Sequence, residues 1–177
     1  ISKKLIEKMG GTITFESTEG RGTIFVIRVP FRIDTDRESK AETEAKTEAS
    51  IRGLHILLAE DNELNMEIAE FMLQNEGAVV TKTWNGQEAV EIFEKSRPDE
   101  FDVILMDIMM PVMNGYEAAK MIRSMDREDA KTIPIIAMTA NAFTEDRIKA
   151  KEAGMDEHIS KPIDMKLLVK IIHELVY

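Results

Sequence analysis

From Gly53 onward the sequence alternates five times between a short apolar run and a stretch with helical spacing. The runs are Leu54–Ala59, Ala78–Thr83, Val103–Met106, Ile133–Met138 and a weaker one at Met155–Ser160. The run at Val103–Met106, bounded by Pro98 and Pro111, is unbroken and reads as a strand buried on both faces, so it needs cover on two sides. The intervening stretches supply it. Leu64, Ile68, Phe71 and Met72 mark a first helix closed by Gly77, and Ala89, Val90 and Phe93 mark a second capped by Asn85. Ala118, Met121, Ile122 and Met125 mark a third. A fourth, Thr144 to Ala153, is polar and weakly periodic; the last carries Leu167, Leu168, Ile171, Ile172 and Leu175 behind an Asp164 cap. Five consecutive βα units predict an α/β fold, a doubly wound five-stranded parallel sheet in the order 2-1-3-4-5. The methionines between Met106 and Met125 read as core filling rather than as a ligand set.

In such a sheet the ligand site lies outside the carboxyl ends of the strands. The first strand ends in Glu60-Asp61, the third in Asp107, the fourth in Thr139 and the fifth in Lys161-Pro162. Strands 1, 3, 4 and 5 are neighbours in the expected order, so these ends converge. Each residue has an ordinary reading: Glu60-Asp61 as a helix cap, Thr139 as a strand residue, Lys161 as a solvated cation, Asp107 as a turn aspartate. The coincidence of all four at one rim favours a site. Three clustered carboxylates repel by several kcal/mol per pair at an effective dielectric near ~20. A cation or bound protons must offset this, and all-oxygen ligands suit Mg²⁺. A carboxylate, a metal, a lysine and a hydroxyl around one void make a phosphoryl-transfer site with Asp107 as nucleophile.

Composition narrows the partners. The formal net charge of −10 argues against nucleic acid or an anionic membrane surface. With no cysteine there is neither a disulfide framework nor a thiolate metal site, which fits a cytoplasmic protein. No apolar run approaches the ~18 residues of a membrane span.

The first third of the chain is organised differently. Ile1, Leu5 and Met9 lie along one side of a short helix stopped by Gly10-Gly11. Thr12–Glu16 and Thr23–Val29 read as strands joined by a turn at Glu19–Gly22. Gly20-Arg21-Gly22-Thr23 reads better as a glycine turn than as a phosphate-cradling loop. A helix-strand-strand piece cannot bury its own apolar face, and the chain opens inside a helix without an initiator methionine, so a fragment of a larger body is expected. Asp34 to Ser50 is almost wholly polar and reads as a linker. The expected domains are 1–33, a linker at 34–52, and 53–177.

Four motifs carry a family resemblance: Leu57-Leu58-Ala59-Glu60-Asp61-Asn62, Met106-Asp107-Ile108-Met109-Met110-Pro111-Val112-Met113-Asn114-Gly115, Ala137-Met138-Thr139-Ala140 and Ser160-Lys161-Pro162-Ile163. The segment from Gly53 to Tyr177 resembles the receiver domain of two-component response regulators, a flavodoxin-like fold. The resemblance implies that Asp107 accepts a phosphoryl group from a phosphohistidine. It implies Mg²⁺ held by Asp61, Asp107, the Met109 carbonyl and Glu60, the last through water. It further implies Lys161 on the phosphoryl group, a cis Lys161-Pro162 bond, and Thr139 moving toward the phosphoryl group. The rotamer of His158, where the family usually has an aromatic, would follow Thr139.

Residues Ile1 to about Phe31 resemble the last helix-strand-strand piece of the ATP-binding domain of sensor histidine kinases, without that domain's nucleotide-binding residues. Kinase end, linker and receiver together imply a hybrid histidine kinase, membrane-anchored or not, with a histidine phosphotransfer protein downstream. A homodimer stays open. The fragment itself would catalyse only its own aspartyl phosphorylation and dephosphorylation. A phosphorylation-silent interaction module of the same shape is the alternative, although silent receivers generally lose one of the residues retained here. A flavodoxin-like cofactor binder would need an anion loop where Glu60-Asp61-Asn62-Glu63 stands. An aspartate-nucleophile phosphatase would generally have a second aspartate at Met109.

Overall fold

The structure is a computed structural model that describes residues 3, 6, 7, 10–18, 20, 22–30, 49–140 and 144–177, with the side chains of 144–146 excepted. The apolar row Ile1-Leu5-Met9, Glu19 and Arg21 of the glycine turn, and the linker over 34–48 lie outside the described residues. The chain divides into two compact units, residues 1–47 and 48–177.

In the first unit, Lys3, Ile6 and Glu7 are helical, and Gly10 follows at φ +72. Its N–H donates to the Glu7 carbonyl and that of Gly11 to the Ile6 carbonyl, closing the helix end as the Gly-Gly pair predicts. β1 (Thr12–Thr18) and β2 (Gly22–Arg28) form an antiparallel hairpin in which Thr18 faces Gly22 and Thr12 faces Arg28. Phe15 and Phe25 pair across it with ring centroids 5.9 Å apart, and both are exposed.

The second unit holds β3 (His55–Ala59), α1 (Glu63–Asn75), β4 (Val79–Thr83), α2 (Gly86–Lys95), β5 (Val103–Asp107), α3 (Gly115–Arg123), α4 (Glu128–Thr132), β6 (Ile135–Thr139), α5 (Thr144–Glu152), β7 (Glu157–Ser160) and α6 (Met165–Val176). The five strands are parallel in the order β4-β3-β5-β6-β7, the expected 2-1-3-4-5 arrangement. Strand alternation divides the core into two layers. Leu57, Ala59, Ile104, Met106, Ile135 and Ala137 face α2, α3 and α4, while Ile56, Leu58, Val103, Leu105, Ile136 and Met138 face α1 and α6. Ile51, which the sequence places in the linker, is fully buried in the second layer, and Ala49 packs against that layer.

Several helix faces differ from the periodicity. In α1 the buried residues are Met66, Ala69 and Leu73, and Leu64, Ile68 and Phe71 are exposed. The helix carries apolar residues around most of its circumference, so spacing alone cannot choose the inward side; the path from the β3 end through the Asn62 cap does. In α3 the inward residues are Ala118, Ala119 and Ile122, with Met121 exposed. In α6 they are Leu168, Val169 and Ile172, with Leu167 and Leu175 exposed. Of the methionines, Met106 and Met110 are buried as core filling, whereas Met109 stands in solvent. Asn85 and Asp164 cap their helices as expected. Asn114 adds a full capping box with Glu117 at the start of α3. No described helix is long and apolar enough to cross a membrane.

Candidate functional site

The strand register brings the expected strand ends together. Ala59 lies beside Met106 in the β3–β5 pair, Asp107 beside Met138 in β5–β6, and Thr139 beside Ser160 in β6–β7. Asp107 closes β5 with 6% of its surface exposed, and Glu60, just past β3, is 2% exposed. Asp61 next to it is exposed, and its carboxylate makes no hydrogen bond or ion pair with any described residue. One carboxylate oxygen from each of Glu60, Asp61 and Asp107 lies within 4.8 Å of the others.

Lys161 enters from the end of β7. Its Nζ donates to Asp107 Oδ2 at 2.6 Å and to Glu60 Oε2. The Lys161 N–H donates to the Thr139 carbonyl at 2.7 Å, which ties the β6 and β7 ends together, and the Lys161-Pro162 bond is cis. Asp107 Oδ1 accepts the Met109 N–H at 3.1 Å. Burial pushes the Asp107 carboxyl above its ordinary range, and the hydrogen bond and charge of Lys161 only partly oppose this. Burial also disfavours the Lys161 ammonium, but the hydrogen bonds to Asp107 and Glu60 outweigh it and hold the amine above its ordinary value.

Three carboxylates against one ammonium leave the ionised pocket with two excess negative charges. This all-oxygen donor set, gathered within 4.8 Å, fits a hard divalent cation such as Mg²⁺. Asp61, with no competing partner among the described residues, is the readiest ligand; Asp107 and Glu60 each already accept hydrogen bonds on both oxygens. Met109, two residues after Asp107, places its N–H on that carboxylate.

His158 stands apart from the acidic cluster. It lies opposite Ala137 in β7, two residues before the Thr139–Ser160 pair, with Nδ1 2.8 Å from Glu157 Oε1. Together with Arg147, Ile148, Lys151 and Met155 it lines a cleft of about 300 Å³ beside α5. Parallel register puts the side chains of Ala137, Thr139, His158 and Ser160 on one sheet face.

Two supports were missed in the sequence reading. The first is Gly115: a Cβ there would lie 2.3 Å from the Asp107 carbonyl oxygen, so only glycine lets α3 start this close behind Asp107. The second is Asn65, whose Nδ2 donates to Glu60 Oε1 at 3.0 Å. The signal available for it was the spacing Asn62-x-x-Asn65, a helix cap followed by a second amide one turn in.

The family model of the response regulator receiver domain matches residues 56–173. Histidine kinase 1 of Arabidopsis thaliana is 37% identical over 159 residues, covering 73% of this chain and 13% of that protein. The aerobic respiration control sensor protein ArcB of Escherichia coli is 32% identical over 173 residues, 97% of this chain and 21% of ArcB. The chain thus spans about a fifth or less of these curated relatives' length. Among solved structures, the receiver domain of sensor histidine kinase PA1611 from Pseudomonas aeruginosa is 40% identical with a TM-score of 0.63. That comparison covers 70% of this chain and 98% of the other, which holds a magnesium ion in its active site cleft. A co-crystal structure of the Saccharomyces cerevisiae histidine phosphotransfer protein Ypd1 with the receiver domain of Ssk1 matches at 31% identity and a TM-score of 0.64, covering 71% of this chain and 90% of that one. On the family match, and on the sheet order that accompanies it, the chain belongs to the response regulator receiver domain family.

Proposed function

We propose that residues 53–177 are the phosphoacceptor receiver of a two-component phosphorelay, with Asp107 as the acceptor. The observation that carries this reading is the buried Asp107 carboxylate, held by Lys161 at 2.6 Å within one small cluster with Glu60 and Asp61. In the proposed reaction an Asp107 carboxylate oxygen attacks the phosphorus of a phosphohistidine. The P–N bond breaks, the imidazole takes the electron pair and a proton, and an aspartyl phosphate forms. Lys161 stays beside the acceptor and meets the incoming negative charge. Thr139, at the end of β6, offers its hydroxyl to a phosphoryl oxygen, and His158 on the same sheet face follows it as a switch. Asp61 and Asp107, with the Met109 carbonyl and Glu60 behind them, would hold Mg²⁺, which when bound neutralises the clustered carboxylates and the phosphoryl charge. The magnesium in the similar Pseudomonas aeruginosa domain supports that assignment.

The donor is a kinase phosphohistidine, and a histidine phosphotransfer protein takes the group onward, as the yeast co-crystal pair suggests. The exposed row Leu64, Ile68 and Phe71 on α1, with Met109 beside the acceptor, gives such a protein an apolar seat. We further propose that residues 1–33 are the end of a kinase ATP-binding domain, making this chain part of a hybrid histidine kinase that acts in the cytoplasm. The ArcB match, which runs through almost the whole chain, supports this, as does a two-stranded hairpin whose Phe15, Ile24, Phe25 and Ile27 stand exposed.

The test is intact mass after incubation with Mg²⁺ and a phosphoramidate or acyl phosphate, beside Asp107→Asn. A gain of one phosphate that requires Mg²⁺ and disappears in the variant is expected. A folded wild-type protein that neither gains phosphate nor binds Mg²⁺ overturns the reading in favour of a phosphorylation-silent interaction module.

A further inference from the structure

Glu60 is almost fully buried, and its two oxygens are engaged in opposite directions. Oε2 accepts from Lys161 Nζ, toward Asp107. Oε1 accepts from Asn65 Nδ2 at 3.0 Å, with the Asn62 N–H farther off at 3.4 Å. The second distance is long for a hydrogen bond to a charged oxygen, so the Asn65 amide is the main partner of Oε1. Asn65 is the third residue of α1, and its backbone and side chain do separate work. The backbone N–H donates to the Asn62 side chain at 3.0 Å and completes the helix cap. The side chain turns back to the carboxylate.

A continuous row of polar contacts results, from Asn65 through Glu60 and Lys161 to Asp107. Glu60, Asn65 and Lys161 together form the polar side of a cleft of about 280 Å³ whose other side is Ile68, Ala69, Met72, Pro162 and Ile163. Without the amide, Glu60 Oε1 would keep only the long Asn62 contact and would border apolar side chains. The terminal torsion of a glutamate is broad and roughly two-fold, so a carboxylate held on one side only can rotate and compete for the ammonium with either oxygen. Each such rotation draws Lys161 away from Asp107. The residue that prevents this should donate a hydrogen bond yet carry no charge: a cation would weaken the pocket's hold on a divalent ion, and a carboxylate cannot donate.

We propose that Asn65 is a positioning residue of the acidic site, fixing the orientation of Glu60 and, through the shared ammonium, that of Lys161 against Asp107. The proposal rests on the reading that these carboxylates hold Mg²⁺ around the acceptor Asp107. Losses of this kind, at residues that orient metal ligands, typically run from 10- to 100-fold in affinity.

The experiment is calorimetric titration of the full 177-residue chain with MgCl₂ for the wild type, Asn65→Leu, Asn65→Ala and Asn62→Ala, each with a melting curve. Both Asn65 variants keep the backbone cap bond. They are expected to bind Mg²⁺ about 10-fold more weakly while melting close to the wild type. Asn62→Ala removes the cap but keeps the amide, so it is expected to lower the melting temperature more and the Mg²⁺ affinity less. Wild-type affinity in a folded Asn65→Leu or Asn65→Ala overturns the proposal. So does an equal loss of affinity in Asn62→Ala, which would make the effect one of helix capping. A wild-type chain that does not bind Mg²⁺ at all instead overturns the phosphoacceptor reading on which the proposal rests.

Discussion

Two contacts at the residue scale have consequences beyond their own side chains. Arg127 grips Asp129 with two hydrogen bonds, Nε to Oδ1 at 2.7 Å and one terminal nitrogen to Oδ2 at 2.6 Å. The same guanidinium donates to the Phe93, Ser96 and Arg97 carbonyls and lies 4.4 Å from the Phe93 ring centroid. The hydrogen bond from Arg127 brings the Asp129 carboxyl down to about 2. An unfolded aspartate titrates near ~3.9, so the stabilisation is complete above about pH 4 and is lost as pH falls toward 2. Asp129→Asn is expected to lower stability at pH 7 by on the order of 1–2 kcal/mol and to flatten the acid limb between pH 4 and 2. Denaturant melts across that window test it; parallel wild-type and variant curves would mean that the ion pair carries no pH-dependent stability. Gly115 is the second case. Gly115→Ala puts a carbon 2.3 Å from the Asp107 carbonyl oxygen and 3.0 Å from Met106 Cγ, so backbone must move. A loss of about 1–3 kcal/mol is expected, together with slower phosphorylation of Asp107 by a small donor. Unchanged melting and unchanged rate would place α3 farther from Asp107 than the structure does. Neither role was legible in advance. Asp107 and Lys161 could be found because they end apolar runs, whereas Gly115 and Asn65 matter through what they touch: one stands in a family motif and the other one turn past the Asn62 cap, but neither position states the contact it makes.

Elements were legible where their pattern had one reading. The five strands lie within two residues of their apolar runs; β3, β5 and β6 are buried on both faces, which leaves little room for polar residues, whereas the edge strands β4 and β7 are partly exposed. α2 has one clearly apolar side and packs with it. α1 is apolar on more than one side, and here the spacing misleads: Leu64, Ile68 and Phe71 look like a core stripe and stand in solvent. α4 was missed because five residues are too few to show a period; its place is set by the Arg127 contacts to the end of α2. The exposed stripe makes a specific prediction. Ile68 is half exposed and belongs to neither core layer, so Ile68→Glu should change stability by only about 0.5 kcal/mol. If α1 seats a phosphotransfer partner, the same change should slow transfer between Asp107 and that protein at least 10-fold, yet leave phosphorylation by a small phosphoramidate at the wild-type rate. Stopped-time gels with both donors separate the two. Equal transfer rates from the protein donor would move the docking face off α1.

Across the whole molecule, the sheet order follows from a few general rules: parallel strands, right-handed crossovers, and acidic ends gathered where neighbouring strands converge. The boundaries of the folded unit do not follow from such rules, because composition blurs them. Polar residues run to Ser50, and the regular pattern begins at Gly53, yet Ile51 is completely buried among Leu54, Ile56, Leu73 and Ala78, and the compact unit begins at Glu48. One isoleucine in a polar stretch carries too little periodicity to announce itself. Its burial nevertheless counts, since covering an isoleucine side chain is worth about 1.5–3 kcal/mol. Two fragments test this directly. Residues 48–177 contain both core layers and the whole acidic site, so they should unfold cooperatively, bind Mg²⁺ and accept phosphate on Asp107. Residues 53–177 keep every strand and helix but lose Ile51 and Ala49 from the second layer. They should be less stable by roughly 2 kcal/mol, with the change in denaturation midpoint reporting it and phosphate still accepted. Equal midpoints would make the segment before Gly53 a true linker, with the folded unit beginning where the periodic pattern does.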